Sequence, residues 1–237
     1  WHCSGNIQGF PKRPMTDSVI SDLRPDEHDA PVPQGKSQRT RQQILEATLH
    51  CLADWGYSHT TNESIAMRAK VSRGAVTHHF PSRIALFREF AVYLMELRVA
   101  EYTDMVRRIA SGLEGGPTFE AMRLTLELMH HDYSTSACFH ALQEFMRGTR
   151  GIRTLGKLAA TLAKDIDTRE LQIRAELLPV WKEFPETSEV LRDLTVYVLA
   201  SVSMTPGPCA DPARRDRLFR LVALAAMTEL ERAQQSR

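Results

Sequence analysis

A short segment near the amino end carries small and polar side chains at helical spacing. Ser72 is a residue type that caps helix N-termini. The side chains that follow it are Arg73, Gly74, Ala75, Val76, Thr77, His78 and His79. An arginine here can form two hydrogen bonds with a guanine edge, and hydroxyl and imidazole groups can reach phosphates. Such a face is what a helix needs to enter the major groove of a nucleic acid duplex, because bulky apolar groups would hold it off the base edges.

This helix would be only about two turns long, too short to be stable alone, so other helices must hold it. Thr60 and Glu63 have the spacing of a capping box, which predicts a preceding helix, and Lys70 then interrupts its pattern. The apolar edge of that helix consists of Ile65, Ala66 and Ala69. The spacing alone leaves two interpretations open: a helix–turn–helix that binds DNA, or a helical hairpin inside an all-α protein.

An amphipathic helix from Ser37 to Trp55 is expected to support the pair. Its inner face consists of Ile44, Ala47, Thr48, Cys51, Leu52 and Trp55. Gly56 is expected to end it. Its basic start opposes the helix dipole, which favours contact with DNA phosphates over a merely solvated first turn. That start contains Lys36, Arg39 and Arg41.

From Arg39 to Phe87 the chain resembles the N-terminal DNA-binding domain of TetR-family transcriptional regulators. The residues that carry the resemblance are Ile44, Leu45, Glu46, Ala47, Gly56, Tyr57, Thr60, Thr61, Ile65, Ala66, Ala69, Val71, Ser72, Gly74, His79, Phe80, Leu86 and Phe87. Two positions depart from the family pattern. Lys70 stands where a turn glycine is common, so a left-handed backbone there would be strained. Thr77 replaces a frequent tyrosine and has a shorter reach.

The resemblance implies a sequence-specific regulator, most simply a repressor that a small-molecule effector releases from its operator. Its partner would be double-stranded DNA with a palindromic operator, read by a homodimer. We expect Arg73, Ala75 and His78 to face base edges, with Gly74 on the same helix. Candidates for phosphate contacts are Arg39, Arg41, Thr61, Asn62, Ser72, Thr77, His79 and Arg83.

Charge and composition agree with this interpretation. The net charge of the 237-residue chain is +1, yet residues 36–83 hold seven Lys or Arg against three Asp or Glu. Positive charge is thus concentrated where phosphates would bind. No apolar run is long enough to span a bilayer. The four cysteines have no C-x-x-C spacing, which favours a cytoplasmic protein without disulfides or structural zinc.

Helical periodicity continues along the rest of the chain, without strand-like alternation after residue 84. The expected fold is all-α: a three-helix DNA-binding domain over 37–83, then an effector-binding and dimerisation domain over 84–237. Residues 1–36 are rich in proline and acidic residues and are expected to form a disordered arm without a signal peptide. The chain does not begin with Met, so Met15 is a candidate natural start and residues 1–14 a candidate non-native extension.

Further helices are expected at 84–109, 119–131, 136–147, 154–184 with a break at Pro179, 187–204 and from Pro212, which follows an Asp211 cap. Loops are expected at 111–117 and 205–212. The middle helices are rich in methionine and aromatic residues, which ordinary core packing explains. The resemblance instead implies an effector cavity lined by Tyr93, Leu97, Met105, Met122, Leu126, Met129, Phe139, Phe145, Met146 and Trp181.

The last two helices carry apolar residues on more than one face, which predicts a homodimer through roughly 187–204 and 213–232. The candidate interface residues are Val190, Leu194, Tyr197, Val198, Leu218, Leu221, Val222 and Ala225. His130, His131, Asp132, Cys138 and His140 are metal-ligand types, but their spacing favours a polar cluster at a helix end over a metal site.

Other functional classes receive little support from the sequence. We find no glycine-rich phosphate loop, no nucleophile with a placed base and no metal-ligand spacing, so neither an enzyme nor a cofactor is expected. The alternative function is an α-helical small-molecule-binding protein that does not bind DNA.

Overall fold

The computed structural model describes residues 35–113, 117–204 and 211–236. These residues form helices and turns without a strand, as the all-α prediction required. The helices are α1 Lys36–His59, α2 Asn62–Ala69, α3 Arg73–His79, α4 Arg83–Gly112, α5 Phe119–Met129, α6 Ala137–Thr149, α7 Arg153–Leu177, α8 Pro179–Glu183, α9 Pro185–Met204 and α10 Pro212–Gln235. A π-helical turn, His130–Ser134, lies between α5 and α6.

Most predicted boundaries agree with these helices within a few residues. Pro179 separates α7 from α8, and Asp211 caps α10 with Pro212 at its first position, both as predicted. Helix α5 was expected to continue to His131, but its last turn widens into the π-helical turn. The predicted arm, except for its last two residues, and most of the 205–212 loop lie outside the described residues, as does the middle of the 111–117 loop.

Gly56 interrupts α1, as predicted, but the helix continues for one more turn to His59. The φ of 76° and ψ of 172° at Gly56 belong to a region of backbone conformation that is nearly restricted to glycine. The turn after it holds Tyr57 and ends at Thr60. The Thr60 hydroxyl is buried and donates a hydrogen bond to the Gly56 carbonyl at 2.8 Å.

The predicted capping box at the start of α2 is displaced by one residue. Thr61 is the N-cap, and its Oγ1 accepts a hydrogen bond from the Ser64 amide at 3.1 Å. The Thr61 amide donates in return to Ser64 Oγ at 2.8 Å. Thr60 cannot cap α2 because its hydroxyl closes α1, so the Thr60–Glu63 box was wrong and a Thr61–Ser64 box takes its place.

A left-handed residue joins α2 to α3. Lys70 has φ 56° and ψ 39°, and is the only non-glycine residue with positive φ in the described ranges. The Val71 amide bonds to the Ala66 carbonyl at 3.1 Å, and the Lys70 amide bonds to the Met67 carbonyl at 3.3 Å. This is a Schellman ending, formed without its usual glycine. The strain expected at Lys70 is therefore present.

Helix α4 connects the helix–turn–helix to the rest of the chain. Near its start, Phe87 and Phe90 are buried, and the Phe87 ring stacks on Phe145 of α6 at 5.1 Å between centroids. Farther along, Tyr102 and Met105 enter a second core formed with α5 and α7–α10. One continuous helix thus has its two ends in two different cores.

Helix α6 packs closely on the end of α1. A Cβ atom placed on Gly148 would lie 2.2 Å from Tyr57 Cβ, so any other residue type at position 148 would collide with the root of that ring. Tyr57 in turn packs on Phe87 at 5.5 Å between centroids. The contact fixes the helix–turn–helix against α6 without an intervening side chain.

Candidate nucleic-acid interface

Helix α3 is held on one side and open on the other. Val76 is fully buried and Phe80 is 2% exposed, which anchors the helix in the first core. The Ala75 amide donates to Ser72 Oγ at 3.1 Å, so Ser72 is the predicted N-cap. The exposed residues of this segment are Ser72, Arg73, Gly74, Thr77 and His78, while Ala75 and His79 are half-buried. The predicted base-reading face therefore points away from the supporting helices.

Arg73 lies at the first turn of α3 and is exposed. No ion pair joins its guanidinium to another described residue. The Thr77 hydroxyl donates a hydrogen bond to the Arg73 carbonyl at 3.2 Å. The Thr77 Oγ1 atom can therefore still accept a hydrogen bond from outside, but its hydrogen is already bonded within the helix. Arg73 is thus the cation on this face with the most freedom to bond to an external group.

The two histidines close the carboxyl end of α3. Their rings lie edge to face, with centroids 5.5 Å apart. Burial lowers the pKa of His79, and the neighbouring His78 and Arg41 lower it further. His79 is therefore neutral near pH 7, and a phosphate beside it would raise its pKa.

Two arginines assigned to phosphates have internal partners instead of free ends. Arg41 donates from Nε to Glu89 Oε2 at 2.7 Å, and its guanidinium lies 5.1 Å from the centre of the Phe80 ring. Arg83 donates from Nη1 to the Thr60 carbonyl at 2.7 Å and from Nε to the Tyr57 hydroxyl at 3.1 Å. Their phosphate contacts remain predictions, and both side chains also hold the supporting helices together.

The other predicted phosphate contacts lie at helix starts. Arg39 is exposed on the first turns of α1. Thr61 is exposed, Asn62 is half-buried, and both lie at the N-terminus of α2, where free amide groups favour an anion. Lys70, which sequence reasoning treated only as a strained turn residue, is exposed between α2 and α3 and adds a cation there. Its basic side chain in a surface turn was the signal that could have identified it.

A cavity of about 60 Å³ lies in the second core. Five of the predicted effector-binding residues line it: Met105, Met122, Leu126, Met129 and Trp181. The other five lie elsewhere. Phe145 is stacked on Phe87, Phe139 packs near Tyr133, Met146 is 37% exposed, and Tyr93 and Leu97 are half-buried on α4.

Polar residues that sequence reasoning did not select also line the cavity. They are Arg174 of α7 and Ser188, Arg192 and Thr195 of α9. Arg174 donates from Nη2 to the Ser188 carbonyl and to Ser188 Oγ, the latter at 2.9 Å. The sequence carries no signal for Arg174, because residues 167–177 mix charged and apolar side chains as an ordinary surface helix does.

A buried charge network lies next to these polar lining residues. Arg98 and Glu170 are each 3% exposed and lie 3.4 Å apart between Nη2 and Oε1. The Tyr133 hydroxyl also donates to Glu170, and Arg192 Nη2 lies 3.7 Å from its Oε2. Burial raises the pKa of Glu170, and the positive charges of Arg98, Arg192 and Arg174 oppose that rise.

The candidate metal ligands form separate polar contacts. His130 Nδ1 lies 3.2 Å from Ser134 Oγ, and Asp132 accepts a hydrogen bond from Arg108 at 2.6 Å. Cys138 is buried, and burial raises the pKa of its thiol. In residues 35–113, 117–204 and 211–236 no three His, Cys, Asp or Glu residues are grouped as a metal ion would require.

Helices α9 and α10 carry an outward apolar surface. Val190, Tyr197 and Leu221 are 66%, 72% and 64% exposed, and Leu194 is 38% exposed. Val198, Leu218 and Ala225 are half-buried, whereas Val222 is buried and faces the cavity. Leu224, which was not predicted, is 55% exposed on the same helix as Leu221.

None of the helices in the described part of the chain has the length and apolarity that crossing a membrane requires.

Comparison with known proteins agrees with this geometry. The model of bacterial regulatory proteins of the tetR family matches residues 44–90. The HTH-type transcriptional repressor AcnR of Corynebacterium glutamicum is 32% identical over 97 residues, which cover 39% of this chain and 50% of that protein. A probable acrEF/envCD operon repressor of Escherichia coli K12 is 32% identical over 91 residues, 38% of this chain and 39% of its own. The chain thus spans half or less of these relatives' length.

The fold similarity extends further than the sequence similarity. A crystal structure described as a TetR-family transcriptional regulator from Mesorhizobium loti superposes with a TM-score of 0.60 at 14% identity, covering 82% of this chain and 98% of that one. A transcriptional regulator from Rhodococcus sp. superposes with a TM-score of 0.51 at 18% identity, covering 83% and 96%. Residues 44–90, which include the helix–turn–helix and the open face of α3, therefore form a domain similar to that of the tetR family of bacterial regulatory proteins.

Proposed function

We propose that this protein is a sequence-specific transcriptional repressor that binds a palindromic operator as a homodimer and leaves it when a small molecule enters the cavity. The observation that carries the proposal is the outer face of α3, which combines an exposed Arg73 with small and polar neighbours. Such a face can approach base edges closely, and Arg73 has the bidentate reach for guanine. The relatives named as repressors favour this function over a helical binding protein without DNA function.

The test begins by selecting the fragments of the source genome that purified protein retains. Arg73→Ala should then weaken operator binding by about 1–3 kcal/mol and relax the base preference at one position. Arg41→Ala should weaken all sequences alike, because it acts on phosphates and on the Glu89 pair. Arg169→Ala is the matched control, since Arg169 is an exposed arginine on α7 that bonds to Gln172.

Two results would contradict the proposal. If Arg73→Ala binds the operator as tightly as the parent protein, α3 does not read bases through Arg73. If affinity for every duplex is independent of salt, the protein does not bind phosphates, and the alternative of a binding protein without DNA function replaces the proposal.

The dimer part of the proposal rests on the outward surface of α9 and α10. Two recognition helices must lie about 34–36 Å apart, or a multiple of that distance, to read half-sites on one side of DNA. The exposed Val190, Tyr197 and Leu221 would be covered if two copies pair through these helices. Sedimentation of the parent should give a dimer at micromolar concentration, and Tyr197→Glu should shift it toward the monomer. A monomeric parent would refute this part.

The release part rests on the course of α4. This helix begins immediately after α3, and its residues Tyr102, Met105, Val106 and Ile109 line the cavity. A ligand that displaces this part of α4 would also displace Phe87 and the contacts that hold the helix–turn–helix. A ligand can release the operator in this way only if it binds the displaced state more tightly.

A further inference from the structure

The cavity in the second core is lined mostly by apolar side chains, with a few polar ones among them. The apolar lining includes methionines of α4 and α5 and the Trp181 ring of α8. Arg174 and Ser188 belong to the polar lining. A mainly apolar cavity with a few polar groups suits a molecule that has an apolar body and one polar end.

Arg174 differs from Arg192, the other arginine of the lining, in having no ion pair. The Nε atoms of both arginines are buried and have no hydrogen-bond partner among the described residues. Arg174 Nη2 is bonded to Ser188, but none of the ion pairs between described residues includes Arg174. Burial also lowers the pKa of its guanidinium.

The neighbouring cations do have carboxylates. Arg98 pairs with Glu170 at 3.4 Å, and Arg192 pairs with Asp167 and with Asp193, the latter at 2.7 Å. Arg174 therefore lines a largely apolar cavity without an ion pair of its own, while Glu170 and Asp167 act on its charge through the neighbouring network. An external carboxylate is the group that would match its free edge, because guanidinium and carboxylate form short, charge-assisted hydrogen bonds.

We propose that the effector is a small monocarboxylate with a short apolar body, whose carboxylate binds Arg174 and whose body packs on Trp181 and the methionines. This inference rests on the proposed function, since it names the ligand class of the same cavity. A phosphate or a dicarboxylate fits less well. Glu170 and Asp167 act on Arg174 from the same network, and they would repel a second negative charge.

The size of the cavity limits the ligand and indicates its effect. About 60 Å³ is less than half of the roughly 150 Å³ that holds benzene in an engineered protein cavity. A six-carbon acid can enter only if the walls move. Met105, Met122 and Met129 have the flexible side chains for this, and Met105 belongs to α4, so enlargement of the cavity would act on the helix that follows α3.

The experiment titrates the full chain calorimetrically with hexanoate, hexanamide, hexylamine and hexyl phosphate at one pH near 7. Hexanoate should bind about 10–100-fold more tightly than the isosteric hexanamide, as expected for one charge-assisted contact. Hexylamine should not bind. Equal affinity for acid and amide, tighter binding of hexyl phosphate, or no binding of hexanoate at about 1 mM would each overturn the proposal.

Variants then assign the effect to Arg174. Arg174→Gln should abolish the preference for hexanoate over hexanamide, and Arg174→Lys should restore part of it. Arg169→Gln, on the exposed side of the same helix, is the matched control and should retain the full preference. An Arg174→Gln variant that still prefers the acid would overturn the assignment. If this variant does not fold, the comparison of the four ligands on the parent still decides the ligand class.

Failure of this proposal can be separated from failure of the proposed function. If hexanoate does not bind but the parent shows salt-dependent operator binding, the regulator stands and only the ligand class is wrong. If hexanoate binds with the expected preference but no duplex is bound, the ligand class stands and the DNA function is wrong. If both hold, adding hexanoate to the operator complex should lower operator affinity in the parent and have no effect in Arg174→Gln.

Discussion

The helix–turn–helix and the cavity region differ in how far their arginine side chains are exposed to water. On α3, Arg73 is exposed, so water satisfies its charge at little cost. In the second core, Arg174 is half-buried, and its buried Nε has no partner among the described residues, which costs stability. An exposed cation therefore indicates a ligand only together with the surface around it. A cation whose buried nitrogen lacks a partner indicates a ligand more directly, because its position is costly without one.

The largest expected change in stability comes from disrupting the contact between Gly148 of α6 and Tyr57 of α1. Gly148→Ala places a methyl group on the Tyr57 side chain and should lower the free energy of unfolding by about 3 kcal/mol. Gly112→Ala is the control, because nothing lies within 4 Å of a Cβ there, and it should not destabilise the protein. Denaturant unfolding measures both. Equal stability of the two variants would mean that α6 is not seated on Tyr57 as described.

The second largest expected change in stability concerns the cost of burying part of the Arg174 side chain. Arg174→Met should raise the free energy of unfolding by about 1–2 kcal/mol, because it replaces an incompletely paired cation with an apolar side chain. Arg169→Met, at an exposed position of the same helix, should change stability by less than about 0.5 kcal/mol. A loss of stability in Arg174→Met would show that the bonds to Ser188 outweigh the cost of burying the charge.

A smaller effect concerns the strained turn of the helix–turn–helix. Lys70→Gly should raise the free energy of unfolding by about 0.5–1 kcal/mol, since glycine tolerates φ 56° but also gains freedom in the unfolded chain. Lys70→Ala keeps a Cβ atom and should give no gain. The two variants lose the same charge, so the difference between them in thermal unfolding isolates the backbone strain.

The smallest effect is a pH dependence of DNA binding. The pKa of His79 in the free protein is lowered, so the side chain is neutral near pH 7. A phosphate beside it would raise that pKa, so binding would take up a proton. Operator affinity should therefore rise as the pH falls from neutrality toward the lowered pKa of the free side chain, and level off below it. Fluorescence anisotropy at constant salt should show a smaller rise for His79→Gln, and an unchanged slope would exclude His79 from the interface.

The helix–turn–helix could be predicted from the sequence because local bonds build it. The Ser72 cap and the Gly56 break depend on residues close in the chain, so their types and spacing were sufficient. The capping box at α2 was misplaced because two adjacent threonines, Thr60 and Thr61, fit the pattern equally well. Only the fold shows that the hydroxyl of Thr60 is used by α1.

The cavity could be predicted only in part because distant helices build it. Sequence reasoning chose its lining by residue type, which found Met105 and Trp181 but also included Phe145, a residue of the other core. The polar lining residues of the cavity were missed for the same reason. Arg174 and Ser188 are brought together by the break at Pro179, and their juxtaposition has no signature in the spacing of either helix.

The contact between Gly148 and Tyr57 has a consequence for how such sequences can diverge. A chain that acquires a side chain at position 148 must also move α6 away from α1, because the new Cβ would meet the Cβ of Tyr57 and not only its ring. Loss of the ring alone would not make room, so glycine at position 148 should persist among descendants of a common ancestor. Substitutions on the open face of α3 carry no such requirement, so that face can change while this joint stays constant.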